Sequence, residues 1–343
     1  MKDIEPEDID IKTDGEPGIT ASERQWLQVE KVKNSDDSIW VDALALRTEM
    51  DSWNFPLNFI DFETAMPAIP FHKGLHPYEG IAFQFSHHTV SEDGTVAHVS
   101  EYLNGNPGEF PNYDFLRALK ASLEANSGTI FRYSNHENTY LNMIVAQLDA
   151  EPEGVIADRS ELIAFAHHIT QGKKGSARPA GERNMVDLWA LVKRFYYAPS
   201  TMGSNSIKAV LPAILNSSDY LKRKYAQPVY GADGGIKSLN FKDWAWVEFE
   251  SDGVTVVDPY KRLPPMFEGM THEEIERLDL LIDSKDLVDG GAAMMAYAKL
   301  QFTDMSAAER QEVEQSLLRY CELDTLAMVM IYEGWVELVR ASR

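Results

Sequence analysis

Phe59-Ile60-Asp61-Phe62-Glu63-Thr64 is the stretch of sequence that decides the fold. On a strand, positions two apart point to the same face, so Asp61 and Glu63 project side by side while Ile60 and Phe62 face the other way. Two adjacent anions that lose hydration cost free energy unless a positive charge lies between them. Magnesium or manganese, which prefer oxygen ligands, would supply that charge. The alternative interpretation is an edge strand with two solvated carboxylates.

The composition is that of an ordinary globular protein. The chain has 343 residues, of which 44% are hydrophobic, enough to bury a sizeable core. It has no apolar run long enough to cross a bilayer and no signal-peptide pattern, so we predict a cytoplasmic protein without a membrane partner. The single cysteine, Cys321, excludes an internal disulfide and fits a reducing compartment.

The net charge of −22 excludes a protein that coats nucleic acid along its length, because such a surface should be basic. It does not exclude an enzyme that takes nucleic acid into one local groove through bound cations.

Alternating apolar residues and turn signals predict further strands and helices after the acidic strand. In chain order they are strands at 81–88 and 96–103, a helix at 113–125, a short strand at 128–133 and a helix at 135–148. The first three strands form a predicted meander, and a β-β-β-α-β-α order is typical of a mixed α/β domain. We therefore predict an α/β fold, with a mixed sheet flanked by helices, over residues 46–343. Residues 1–45 are predicted to form an acidic N-terminal arm and a lead-in helix.

The second half is harder to interpret. A helix is predicted at 185–195 and a strand-like run at 244–249. The last helix is the clearest, because Ser306-Ala307-Ala308-Glu309 has the pattern of a capping box.

This last helix carries Tyr320 and Asp324 four residues apart, and therefore on one face. Cys321 lies between them and is predicted to be a core residue on a different face.

A strand with Asp-x-Glu followed by a late helix with Tyr-x-x-x-Asp resembles the DEDD superfamily of 3′–5′ exonucleases, in its tyrosine-containing DEDDy form. Asp61 and Glu63 match the first motif of that superfamily, and Tyr320 and Asp324 match the third. The resemblance implies that the predicted mixed sheet has a ribonuclease H-like fold.

The middle motif of that superfamily supplies an aspartate at the start of a helix that follows a strand. Glu137, in Tyr133-Ser134-Asn135-His136-Glu137, stands at the matching place. Asp187, in Val186-Asp187-Leu188-Trp189, is the competing candidate for the fourth acid.

The wider spacing looks like a bacterial domain-of-unknown-function family predicted to be such a nuclease. The resemblance covers about residues 20–340, and its matching segments are 59–63, 83–87, 206–211, 289–291 and 320–325. Members of that family often carry a second nuclease-like domain before this one. The chain is therefore expected to be a naturally short member or the C-terminal domain of a longer protein.

The resemblance implies hydrolysis of phosphodiester bonds by a two-metal mechanism. Asp61, Glu63, Glu137 and Asp324 would hold two Mg²⁺ or Mn²⁺ ions about 3.5–4 Å apart. One ion would orient a hydroxide and the other would stabilise the leaving oxygen, while Tyr320 would orient the attacking water. The implied partner is nucleic acid, DNA or RNA, held by a single-stranded 3′ end.

Thr64, His136 and Lys208 are the candidate substrate contacts. The basic run Lys222-Arg223-Lys224 is a further candidate for holding the phosphate backbone, with a solvated surface run as the alternative.

Two other functions fit the same residues. One is a catalytically silent ribonuclease H-like module that binds nucleic acid or a protein partner, an interpretation favoured by Glu137 in place of aspartate and by the acidic surface. The other is a phosphoesterase that acts on nucleotides or another small substrate. A glutamate reaches one methylene farther than an aspartate and can still ligate a metal, so the substitution does not separate these functions.

Overall fold

A five-stranded mixed sheet flanked by helices lies at the centre of the computed structural model, which describes residues 4–173, 175–263 and 291–341. This architecture confirms the predicted α/β fold with a mixed sheet between helices. Asp289 and Gly290, which belong to one of the matching segments, lie outside the described residues.

The described elements follow one another in a mainly alternating order. The strands are β1 (Trp40–Val41), β2 (Leu57–Ala65), β3 (Ile81–Val90), β4 (Val96–Leu103), β5 (Ile130–Arg132), β6 (Val186–Asp187) and β7 (Tyr196–Tyr197). The helices are α1 (Ala21–Asn34), α2 (Ala43–Asp51), α3 (Asn112–Leu123), α4 (His136–Ala150), α5 (Arg159–Ile169), α6 (Leu188–Phe195), α7 (Ile207–Ser217), α8 (Asp219–Tyr225), α9 (Gly291–Phe302) and α10 (Ala307–Ala341). Short 3-10 turns lie at Pro6–Asp8, Pro199–Thr201 and Pro259–Arg262.

The strand order of the sheet is β4-β3-β2-β5-β6. β2 pairs antiparallel with β3, and β3 pairs antiparallel with β4, which confirms the predicted meander. β2 also pairs parallel with β5, and β5 pairs parallel with β6. At β2 the pairing therefore changes from antiparallel neighbours, joined by the loops 66–80 and 91–95, to parallel neighbours joined by helical crossovers. In open α/β sheets, ligand sites form outside the carboxyl ends of the parallel strands at such a switch point.

Side chains of β2 point alternately to the two faces of the sheet and pack into two different hydrophobic cores. Ile60 and Phe62 pack into one cluster with residues of α3, α4 and α5. Phe59 points to the opposite face, where its ring stacks on Phe131 at a centroid distance of 4.8 Å, in a cluster that includes α6, α7 and α10. The acids Asp61 and Glu63 share the face of Phe59, as the period of two predicts.

α10 covers that second face. Every residue from Cys321 to Ile331 is buried, so this part of the helix is enclosed on all sides. The predicted capping box is confirmed at its start, where Ser306 Oγ accepts from the Glu309 N–H and Glu309 Oε2 accepts from the Ser306 N–H. None of the described helices, α10 with its 35 residues included, combines the length and the apolar composition needed to cross a bilayer.

The helix predicted at 185–195 begins later than expected. Val186–Asp187 forms β6 instead and pairs with β5 at the edge of the sheet. Asp187 then caps α6, since its side chain accepts from the Ala190 N–H while its backbone stays extended. An N-cap residue has non-helical dihedrals, so the helix starts only after it.

The predicted strand at 244–249 is also wrong. Its residues make only isolated bridges, Tyr230 with Trp244 and Phe249 with Val256. Trp246 between them is fully buried in the core. The apolar alternation at 244–249 therefore comes from aromatic residues that pack into the core, and not from pairing with a continuous partner strand.

We expect Leu326→Ala to lower the free energy of unfolding by about 2–5 kcal/mol, because Leu326 is fully buried in the enclosed part of α10 and its loss leaves a cavity. Leu44→Ala is the matched control, since Leu44 on α2 is 77% exposed and should change stability by less than about 0.5 kcal/mol. Chemical denaturation followed by tryptophan fluorescence measures both. Equal losses in the two variants would contradict the enclosed position of α10.

Candidate metal centre

Asp61 and Glu63 project from the carboxyl end of β2 toward α10. Glu63 is 4% exposed and Asp61 is partly buried. The thiol of Cys321 lies 3.8 Å from Asp61 Oδ2 and 3.5 Å from the Asp61 carbonyl oxygen. Potential ligand atoms of Asp61, Glu63 and Cys321 all lie within 4.8 Å of one another. α10 is therefore packed directly on the acidic strand.

A bulge lies at the end of this acidic strand. The pairing of β2 with β3 shifts register between Glu63 and Thr64. Bulges are common beside functional sites because they redirect side chains there.

Asp324 reaches the same place from α10. It follows Cys321 by three residues, nearly one helical turn, so the two side chains share a face. Burial raises the pKa of the Cys321 thiol well above its ordinary value, and the negative charges of Asp61, Glu63 and Asp324 raise it further. The prediction that Cys321 is buried is confirmed. The prediction that it lies on a different face from Asp324 is wrong, because three residues complete most of a turn.

Glu137 comes from the first turn of α4, directly after β5, and is 1% exposed. Burial raises its pKa from 4.5 to about 8, Arg132 opposes that shift, and Asp187 and Asp324 add to it. Its Oε2 atom is buried and has no hydrogen-bond partner among the described residues. A buried carboxylate oxygen without a donor is costly unless a cation meets it. Glu137 therefore fits a metal ligand.

Asp187, the competing fourth acid, is engaged by the protein itself. Its carboxylate accepts from the backbone N–H of Ser134 at 3.1 Å and of Ala190 at 3.2 Å, and lies 3.1 Å from Arg132 Nη1. These contacts join the end of β5 to the start of α6. The geometry therefore gives Asp187 a structural role and leaves Glu137 as the better candidate ligand.

Thr64 and His136 meet beside the acids. Thr64 Oγ1 lies 2.9 Å from His136 Nε2, and this contact joins the end of β2 to the first residue of α4. The ring of His136 also lies against Tyr140, with centroids 4.6 Å apart. The two predicted substrate contacts are thus brought together next to Glu137.

Lys208 and Tyr320 are also brought together. Lys208 lies in the first turn of α7, and its Nζ is 5.5 Å from the ring centroid of Tyr320 and 5.7 Å from that of Tyr260. The side chains of Lys208 and Tyr320 are both partly buried. A lysine near aromatic faces at this distance makes a favourable cation–π contact.

The basic run 222–224 lies elsewhere. On α8, Lys222 pairs with Asp219 at 3.0 Å and Lys224 pairs with Glu333 at 2.6 Å. Glu333 follows Asp324 by nine residues of α10, a rise of about 14 Å. The structure therefore does not bring this run to the acids.

A second polar cluster occupies the opposite side of α10, because Glu322 precedes Asp324 by two residues. Glu322 accepts hydrogen bonds from Tyr230 and Ser238 at 2.5 Å each and from Asn240 at 2.8 Å, and His98 Nδ1 lies 3.2 Å away. These partners surround Glu322 with donors, so we assign this cluster to the core.

Sequence reasoning missed two residues of the centre. Tyr260 donates a hydrogen bond to Asp324 Oδ1 at 2.5 Å, although the two residues are 64 positions apart. Arg132 lies beside Glu137 and Asp187. Arg132 could have been found only from its place on the strand that precedes Glu137. Tyr260 could not have been found, because it lies in a stretch without a periodic pattern.

Residues 58–206 match the model of a family described as Domain of unknown function (DUF2779). The matched segment contains Asp61, Glu63 and Glu137, while Tyr320 and Asp324 lie outside it. No curated protein and no solved structure matches the chain. The expected resemblance to a domain family of unknown function is thus confirmed for this segment.

We expect the metal-free protein to lose stability as pH rises toward about 8. A carboxyl whose pKa is raised on folding binds its proton more tightly in the folded state, so its contribution is complete below pH 4.5 and is lost as Glu137 ionises near pH 8. Glu137→Gln should reduce this loss. Thermal melts in chelator at pH 5 and pH 8.5 measure the effect.

Glu182→Gln is the control for this experiment, because Glu182 is exposed. It should melt like the parent at both pH values. A Glu137→Gln variant with the parent's full pH dependence would contradict the assignment of that dependence to Glu137.

Proposed function

We propose that this protein is a metal-dependent 3′–5′ exonuclease of ribonuclease H-like fold, acting on nucleic acid in the cytoplasm. The observation that supports this proposal is the convergence of buried and partly buried acids where the central strand β2 meets α10. Asp61 and Glu63 on β2 and Asp324 on α10 all raise the pKa of the Cys321 thiol, and Asp324 also raises the pKa of Glu137 on α4. Such a cluster without a cation opposes folding, so its presence favours a metal site.

The oxygen-rich donor set suits Mg²⁺ or Mn²⁺. Asp61, Glu63, Glu137 and Asp324 would hold the ions, and the orphaned Oε2 of Glu137 is the donor that most needs one. When bound, a pair of such ions activates water and stabilises the leaving oxygen of a phosphodiester. Burial of the acids strengthens these electrostatic effects relative to bulk water.

Tyr320 and Lys208 have complementary roles in this proposal. Tyr320 is partly buried on α10 one turn before Asp324, and its hydroxyl would orient the attacking water by hydrogen bonding. Lys208 lies over the Tyr320 ring and supplies a positive charge for a substrate phosphate. Thr64 at the end of β2 and His136 at the start of α4, which contact each other, would also contact the substrate.

A single-stranded 3′ end of DNA or RNA is the proposed substrate. The chain carries a net charge of −22, so a long duplex would be repelled by most of its surface. A strand end needs to approach only the centre itself, where the metal ions and Lys208 provide positive charge.

The silent binding module is the second candidate function. It is favoured by Arg132, because the positive charge of Arg132 lowers the free-energy cost of ionising Glu137 even without a metal ion. In that case the acids would be a structural remnant, and nucleic acid or a protein partner would bind without cleavage.

We expect the full chain to shorten 5′-labelled single strands from the 3′ end in the presence of Mn²⁺, and Asp61→Asn to lower the rate by at least about 100-fold. The reason is the loss of a charged ligand from the centre. Asp37→Asn is the control, since Asp37 is an exposed aspartate and should leave the rate unchanged. Gel electrophoresis of the products measures both.

The remaining outcomes separate the alternatives. Binding of the strand without shortening supports the silent module. Release of phosphate from free nucleotides alone supports a phosphoesterase. Shortening that persists in Asp61→Asn would contradict the proposed centre.

We expect Lys208→Gln to raise the KM for single strands by about 3–10-fold and to reduce the slope of log affinity against log salt by about one, as loss of a phosphate contact does. Lys222→Gln is the matched control, because Lys222 pairs with Asp219 away from the acids. Its KM and salt slope should equal those of the parent. A salt slope unchanged by Lys208→Gln would remove Lys208 from the substrate site.

A further inference from the structure

Tyr260 is the only buried tyrosine for which the described contacts give a hydrogen bond to one of the four candidate metal ligands. Its hydroxyl donates to Asp324 Oδ1 at 2.5 Å. A carboxylate can only accept, so the direction of this bond is fixed by chemistry. The side chain of Tyr260 is 7% exposed. It therefore cannot reach a substrate in the way that the partly buried Tyr320 can.

The position of the Tyr260 side chain is fixed by several contacts. It lies in the turn Pro259–Arg262, whose N-cap Asp258 accepts from the Tyr260 N–H at 3.1 Å. Its ring lies 6.1 Å from that of Tyr320, and Lys208 Nζ approaches the same ring at 5.7 Å. The phenol thus occupies a fixed place beside Asp324.

A fixed donor restricts the carboxylate that it contacts. The terminal torsion of an aspartate has a broad energy profile, so an unrestrained carboxylate samples many orientations. A hydrogen bond to one oxygen defines the direction of the other and lowers the entropy lost when a cation binds. Donors behind metal ligands typically contribute about 10–100-fold to metal affinity.

We propose that Tyr260 is a positioning residue that orients Asp324 toward a divalent cation and so sets the metal affinity of the centre. This inference rests on the proposed function, because it takes Asp324 as a ligand. It predicts a defect in metal binding rather than in the chemistry that follows.

The chain offers a matched control in Tyr230. This tyrosine is fully buried and donates to Glu322 Oε1 at 2.5 Å, the same distance as in the Tyr260 pair. Glu322 lies on α10 two residues before Asp324 and points to the opposite side of the helix. Removing either hydroxyl therefore leaves a buried carboxylate without one donor, but only Tyr260→Phe affects a candidate ligand.

The experiment measures Mn²⁺ binding to the full chain by titration calorimetry, together with thermal melts in chelator. We expect Tyr260→Phe to raise the Kd for Mn²⁺ by about 10–100-fold. Tyr230→Phe should lower the melting temperature comparably while changing the Kd by less than about twofold. At saturating Mn²⁺, Tyr260→Phe should recover most of the parent's cleavage rate.

The outcomes distinguish this inference from the proposed function. If Asp324→Asn abolishes Mn²⁺ binding but Tyr260→Phe binds like the parent, the inference is overturned and the metal centre stands. If Tyr230→Phe weakens binding as much as Tyr260→Phe does, the effect is one of general stability and the inference is also overturned. Failure of the parent chain itself to bind Mn²⁺ would overturn both.

A second variant covers the case in which Tyr260→Phe does not fold. Asp258→Ala removes the cap of the turn that seats Tyr260 but keeps the phenol. We expect it to raise the Kd for Mn²⁺ by about 3–10-fold, less than the loss of the hydroxyl itself. An unchanged Kd in Asp258→Ala would contradict the inference independently.

Discussion

The burial of several carboxylates between β2 and α10 is the constraint on which the rest of the molecule depends. Like charges in a low-dielectric crevice repel one another and lose hydration, and both effects oppose folding. The apolar residues of α10 that follow Asp324, up to Ile331, are all buried and hold the helix against the sheet despite that cost. The fold therefore keeps in place a group of acids whose mutual repulsion a bound cation would relieve.

The acids of this protein differ in the number of hydrogen-bond donors around them. Glu322 receives several donors on one side of α10, and Asp187 receives two backbone N–H groups and a guanidinium at the end of the sheet. Glu137 has an oxygen without any donor among the described residues, although it lies near Arg132 and Asp187. Donors surround the two acids with structural roles, whereas one oxygen of Glu137 has none among the described residues, and an oxygen of that kind suits a cation.

Local patterns predicted the parts of the fold that local chemistry determines. The alternation at 59–64 gave the faces of β2, and Ser306 with Glu309 gave the start of α10. Sequence could not predict Tyr260 beside Asp324, because a contact between distant segments leaves no local signal. It also placed a strand at 244–249, since alternating apolar residues cannot tell whether a partner strand exists. The role of Asp187 depended on Arg132, another contact that only the folded chain reveals.

The acidic surface is compatible with the anionic substrate that we propose, because electrostatic effects fall off with distance. At physiological ionic strength, exposed charges separated by more than about 8 Å are largely screened, whereas charges in a buried crevice are screened much less. The net charge of −22 therefore weakens contacts along the length of a nucleic acid more than contacts at one phosphate. In the proposed function, two cations and Lys208 would hold that one phosphate. The same charge balance explains why recognition would favour a strand end, which brings few other phosphates near the protein.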